Sequence, residues 1–216
     1  MSRPAFPIIL AAPSGSGKTT LARALLASRS DVGFSVTCTT RPPRPAERDG
    51  VDYFFLAPDE FEGRVARGDF AEHALVHGNR YGTLRSEIRR LLEGGRHPIM
   101  TIDVQGARQF VRAFPETVLV FVLPPSGAEL LARLDGRGTE DPAKVRTRLE
   151  GALGELRAME EYEYVVVNDE VHRAVAQLSA IIDAEMARRS RQHDLAARTA
   201  ALAAELRRAI GAPVPH

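Results

Sequence analysis

The chain has 216 residues, 44% hydrophobic and 26% charged, and its 29 basic and 28 acidic side chains leave a net charge of +1. That usage is ordinary for a globular protein and sets aside disordered and fibrous classes, while the near balance of charge argues against a general nucleic-acid coat or a membrane-surface protein. The single cysteine, Cys38, rules out an internal disulfide or a cysteine-rich zinc site and points to a reducing, cytoplasmic compartment; no apolar run approaches the ~20 residues that span a bilayer.

Residues 6–12, "FPIILAA", are short, apolar and closed by proline, which predicts a buried strand. The chain then reads "PSGSGKTT" and enters the helix-like "LARALLASR", so strand, glycine turn and helix follow one another as in a phosphate-binding loop. Such a loop turns successive N–H groups and a helix N-terminus into one concavity that fits a polyphosphate. Ser14 opens the turn; Gly15, Ser16, Gly17, Lys18, Thr19 and Thr20 supply the N–H groups. Lys18 adds a charge able to follow a transferring phosphoryl group, and the Thr19 hydroxyl stands where these loops ligate magnesium. The first glycine of the usual G-x-x-x-x-G-K-[ST] spacing is here Ala12. It lies at the strand end, before the cradle, so a negative φ there leaves the loop intact.

Residues 33–83 alternate in polarity and are broken by prolines and glycines, which predicts short strands in a small inserted lobe. Arg41 and Arg44 stand in it beside hydroxyls and a tyrosine, and guanidinium forks suit a small phosphate monoester. Three further buried strands are expected at 97–104, 117–125 and 162–169, making four with the first. Helical patterns at 84–94, 105–113, 126–135, 141–160 and 170–189 alternate with them, the arrangement of a doubly wound parallel α/β sheet. Residues 134–149, "LDGRGTEDPAKVRTRL", have the glycine and arginine content of a cover over a charged ligand. After residue 187 an alanine- and arginine-rich helical stretch with an apolar face makes self-association a reasonable expectation. The six histidines show no metal-ligand spacing, and His73 and His77 read as packing or solvent side chains.

Taken in order, "TTRPPRPAERDGVDYFF", "FAEHALVHGNRYGT", "TIDVQGAR" and "LDGRGTE" resemble the guanylate kinase family from about Ile8 to Glu185. The resemblance implies a P-loop nucleoside monophosphate kinase fold at 5–186, with core segments 5–32, 84–125 and 162–186. It further implies a GMP-binding lobe at 33–83, a lid at about 126–161 and a C-terminal extension at 187–216. By position, Arg41, Arg44, Tyr53 and Tyr81 would hold the phosphate of GMP. Glu72, Thr83, Thr37 and Asp103 would surround its guanine, with Gly82 in the same strand. A carboxylate accepts from the N–H and exocyclic amine of guanine, a donor pair that adenine lacks. The resemblance also places Arg133, Arg137 and Arg148 over the transferring phosphate and Asn168 near the adenine of ATP. It implies the conversion of Mg²⁺-bound ATP and GMP to ADP and GDP. A family member acting only as a binding module would be expected to have a degraded phosphate loop, and a kinase for another acceptor a replaced Glu72 or Asp103; this sequence has neither. Two departures stand out. Thr101 occupies a position, two before Asp103, that is commonly acidic in the family, which puts the outer magnesium shell in doubt. Arg80 replaces an aromatic residue and adds positive charge near the expected GMP phosphate.

Overall fold

The computed structural model describes residues 5–76, 78–135, 142–192 and 194–211. In chain order it forms β1 (Ile8–Ala11), α1 (Lys18–Ser28), β2 (Val32–Phe34), β3 (Cys38–Thr39), β4 (Phe54–Phe55), α2 (Pro58–Ala66), β5 (Phe70–Val76), β6 (Asn79–Leu84) and α3 (Arg85–Glu93). Then come β7 (His97–Met100), α4 (Val104–Ala113), β8 (Val118–Leu123), α5 (Gly127–Asp135), α6 (Pro142–Arg157), β9 (Tyr164–Val167), α7 (Val171–Ala187) and α8 (Leu195–Gly211).

The main sheet is parallel, in the order β2-β7-β1-β8-β9. Strand β1 sits at its centre and is buried on both faces, as period-2 alternation between two covered faces requires. Ile8 and Leu10 join Leu21 and Leu25 of α1 and Ala174, Leu178 and Ile182 of α7. Ile9 and Ala11 join Ile88 of α3, Ala107 and Phe110 of α4 and Phe121 of β8. Full burial of each such Leu or Ile contributes ~1.5–3 kcal/mol, so this strand and the loop that follows it stand on the firmest part of the molecule.

The sheet has five strands where the sequence suggests four. The addition is β2, at one edge beside β7, whose residues fall across the expected boundary of the inserted lobe. Three residues with a central glycine carry too little periodicity to be read as a strand. Gly33 is there because the Leu91 side chain lies 2.6 Å from where a Cβ would stand, an approach only glycine permits.

A second sheet, in the order β4-β3-β6-β5, occupies residues 38–84. It is covered by α2, a helix the sequence pattern did not reveal, which starts with Pro58 in its first turn. Phe61 of α2 stacks on Phe70 at 4.4 Å between ring centroids, with Cys38 and Leu84 completing this small core. Helix α4 lies against β5 and so joins the two sheets.

The expected helix at 141–160 is α6 followed by a 3-10 turn at Ala158–Glu161. Beyond α7 the chain does not run straight into α8. A 3-10 turn at Arg189–Arg191 intervenes, and Arg191 is buried there. Its guanidinium donates to Glu185 (2.9 Å) and to the Glu116 carbonyl (3.0 Å) and stacks 4.3 Å above the Phe6 ring. Helix α8 leaves this anchor almost wholly exposed.

Candidate active site

The loop between β1 and α1 rises from the C-terminal end of the central strand, the edge at which open parallel sheets bind ligands. Gly15 and Gly17 take positive φ, 85° and 90°, the left-handed conformation that lets consecutive N–H groups turn inward. Ser16 N–H closes the turn on the Pro13 carbonyl at 3.1 Å. Helix α1 then begins with no side-chain cap, so its first N–H groups face the concavity, a ready site for an anion. Ala12 is buried in the core cluster with Leu10 and Leu21, and its carbonyl accepts from Lys18 Nζ. The alanine therefore takes part in packing and backbone anchoring. Burial lowers the Lys18 pKa from its ordinary value, opposed by the negative charges of Glu155 and Asp103. Thr19 and Thr20 are exposed in the first turn of α1.

Asn168, expected beside the adenine, is instead wedged beneath this loop. Its side-chain amide donates to the Ser16 carbonyl at 2.8 Å and leaves no room for a side chain at Gly17, whose Cβ would stand 2.4 Å from Asn168 Nδ2. It is a strut: β9 ends at the level of the loop, and its last side chain fixes the turn.

Next to β1 in the sheet, β7 ends in Thr101, Ile102 and Asp103. Asp103 caps α4, accepting from Gly106 N–H at 2.7 Å. Both Thr101 and Asp103 line a cavity of about 290 Å³ with Thr37, Tyr53, Glu72 and Tyr81. Glu72 is buried, its neighbours on α4 so close that a Cβ on Gly106 would stand 3.0 Å from Glu72 Oε2. Burial pushes the Glu72 carboxyl up to about 7. The Thr83 hydroxyl opposes this by donating at 2.7 Å, and the nearby Asp103 charge reinforces it. Thr83 itself is fully buried, and in this structure its proton is committed to Glu72, so it orients the carboxylate. Gly82, one position earlier, has a packing reason for being glycine: a Cβ would meet the Phe70 ring at 2.8 Å.

The rim of the cavity carries the arginines. Arg41 lies 5.4 Å over the Tyr53 ring, and Tyr53 meets Tyr81 edge to face at 6.2 Å. Its guanidinium is held by Glu47, at 2.8 and 2.9 Å. Glu47 also accepts from Arg44 N–H, and that bond above all, with Arg41 beside it, lowers its pKa. A carboxylate of the chain thus stands where an acceptor phosphate would be expected; Glu47, unlike Arg41, gave no signal in sequence. The Arg44 side chain is exposed. Arg80 pairs with Glu62 of α2 at 2.6 Å, so the charge it was expected to add is met by a partner. Arg133 pairs along its own helix with Glu129 at 3.4 Å. Arg148 is half-buried on α6, and Arg137 lies outside the described residues, as does His77.

One cleft therefore joins a polyphosphate loop, a buried carboxylate able to read a base and an arginine-aromatic rim. Residues 5–185 match the family model described as guanylate kinase. The chain belongs to the guanylate kinase family. It is 47% identical over 191 residues to the guanylate kinase of Alkalilimnicola ehrlichii, covering 88% of this chain and 94% of that protein. To that of Symbiobacterium thermophilum it is 49% identical over 181 residues, 84% of this chain and 86% of that protein. Among solved structures, guanylate kinase from Anaplasma phagocytophilum aligns with a TM-score of 0.72 at 32% identity, over 89% of this chain and 92% of that one. Helix α8 lies beyond the residues matched by the guanylate kinase model.

Proposed function

We propose that the chain transfers the terminal phosphoryl group of ATP to GMP, giving ADP and GDP. The observation that carries this reading is Glu72: an acidic side chain buried in a base-sized cavity, beside Asp103 and one strand away from the phosphate loop. Ionised, it accepts the paired donors of guanine; uracil, cytosine and adenine do not present that pair, and a buried acceptor left unmatched discriminates strongly.

The acceptor is already an anion, so alignment and charge neutralisation matter more than a base. A non-bridging oxygen of the GMP phosphate attacks the terminal phosphorus of ATP; its bond forms as the bond to the bridging oxygen breaks, and ADP leaves. Lys18 and the loop N–H groups hold the donor phosphates. Arg41, released from Glu47, holds the acceptor with Arg44, Tyr53 and Tyr81. Arg133, Arg137 and Arg148, on the segment read as a lid, neutralise the group in flight and exclude water. The small sheet serves as the GMP lobe, and Asn168 acts through the loop it supports.

A magnesium ion fits the donors at hand. Thr19 offers an exposed hydroxyl at the open helix N-terminus, and no group of three acidic, histidine or cysteine side chains able to hold a metal occurs among the described residues. This suits an ion that arrives with the nucleotide and keeps several waters. Bound there, it would neutralise phosphate charge. No helix among the described residues is long and apolar enough to cross a membrane, and we place the reaction in the cytoplasm. Helix α8 exposes Leu202, Leu206 and Ile210. We assign them to self-association in an antiparallel pairing that sets Arg198 of one copy opposite Glu205 of the other.

The test is ADP formation from Mg-ATP with GMP, AMP, CMP or UMP offered separately, alongside Glu72→Gln. GMP-selective turnover that falls in the variant is the expected result; turnover with another acceptor would overturn the assignment. Sedimentation of the full chain as a larger species than a truncation after Gln192 is expected, and equal sizes would refute the pairing.

A further inference from the structure

The phosphate loop is not empty of negative charge. Across 141 residues of sequence, the Ser14 N–H donates to Glu155 Oε2 at 3.3 Å. That amide lies at the entrance of the cradle, and a carboxylate oxygen offers it the same interaction that a phosphate oxygen would. Glu155 is also the nearest influential charge to Lys18, ahead of Asp103. It therefore touches both parts of the loop that a polyphosphate needs, one backbone donor and the ammonium group.

Glu155 comes from the last turns of α6, and α6 also carries Arg148 two turns earlier. The contact consequently ties the helix bearing an expected phosphate-clamping arginine to the loop meant to receive the nucleotide. On its far side Glu155 borders a groove of about 450 Å³ between α4 and α6, lined by Gly151, Gly154, Arg108 and Arg157. Nothing stands within 4 Å of where a Cβ on either glycine would be. A carboxylate displaced from the loop thus has open space and two guanidinium groups on that side.

We infer that Glu155 is a positioning residue that stands in for the nucleotide's phosphate in the empty protein: it holds the loop and Lys18, and yields Ser14 N–H when phosphate enters, so that filling the loop releases α6. This rests on reading residues 13–20 as the nucleotide site. Two anions cannot share one N–H donor and one ammonium group without repulsion, so the carboxylate lowers affinity for the empty loop's ligand while keeping the loop ordered. The release then couples nucleotide arrival to movement of the helix that carries Arg148.

The experiment uses the full chain, Glu155→Gln and Glu155→Ser, with inorganic tripolyphosphate and then ADP as probes in isothermal titration calorimetry. Removing one like charge at contact range is expected to tighten tripolyphosphate binding about fivefold to tenfold at low ionic strength. The gain should shrink near 1 M salt, where screening acts over ~3 Å. General damage to α6 would weaken binding, so the direction separates the proposal from a merely structural role. Amide hydrogen exchange adds a second readout: tripolyphosphate should speed exchange in residues 148–157 of the wild-type chain and leave the two variants unchanged. Equal or weaker binding by both variants, with wild-type binding intact, overturns the role of Glu155 and leaves the loop assignment standing. Failure of every chain, wild type included, to bind either probe overturns the loop assignment and this inference with it.

Discussion

Glu72→Gln tests the base site through stability as well as activity. The Glu72 carboxyl is buried and its pKa rises from 4.5 to about 7. The folded chain therefore holds a proton that the unfolded chain has lost across that interval, and stability falls as pH climbs from about 4.5 to about 7. At ~1.4 kcal/mol per pKa unit, the penalty above pH 7 approaches about 3 kcal/mol, an upper bound if water relaxes around the group. Glutamine is neutral throughout and can still accept from Thr83. Urea unfolding of the two chains should accordingly give similar stabilities near pH 4.5 and a variant that is more stable by about 2–3 kcal/mol at pH 8. Binding shows the opposite trend. Guanine needs the ionised form, so GMP should displace about half a proton at pH 7, seen as a buffer-dependent heat in calorimetry. The variant should lose that heat and bind GMP at least about 100-fold more weakly. Stability curves that run parallel across the pH range, or a GMP heat independent of buffer, would refute the reasoning.

Gly17→Ala forces a side chain into the left-handed region and against Asn168; it should cost about 2 kcal/mol or more and raise the KM for ATP. Asn168→Ala should cost about 1–2 kcal/mol but reduce the penalty of Gly17→Ala when the two are combined, and strict additivity in thermal melts would count against the strut. Arg191→Ala strips Glu185 of its buried cation and should destabilise by about 3 kcal/mol in urea. Truncation after Glu185 should do the same, although the family match ends there, while truncation after Gln192 should not; equal losses would sink this. Burial pushes the Cys38 thiol up to about 12. Iodoacetamide at pH 8 should leave the folded chain unmodified and label it on unfolding, and rapid labelling of the native protein would contradict its place in the core.

What the sequence by itself determined is what is written over short spans. The phosphate loop is legible because a turn with two left-handed residues demands glycine at fixed spacing, and β1, β7, β8 and β9 are legible because strands buried on both faces read as continuous apolar runs. The motifs around Arg41, Glu72 and Asp103 could likewise be named from order and spacing. Their meaning could not, because ionisation and contact depend on what desolvates a group. Glu72 became a buried acid poised near neutrality only when α4 closed over β5 and brought Gly106 and Asp103 against it. Asn168 became a strut only when β9 ended beneath the loop. Strand β2 was too short to carry a period and was fixed by its neighbour β7. The carboxylates that meet the site's cationic groups, Glu47 on Arg41 and Glu155 by Lys18, resemble any surface acids in the sequence. Charge pairing is set by proximity in space, and tertiary structure alone brought α6 to the mouth of the loop.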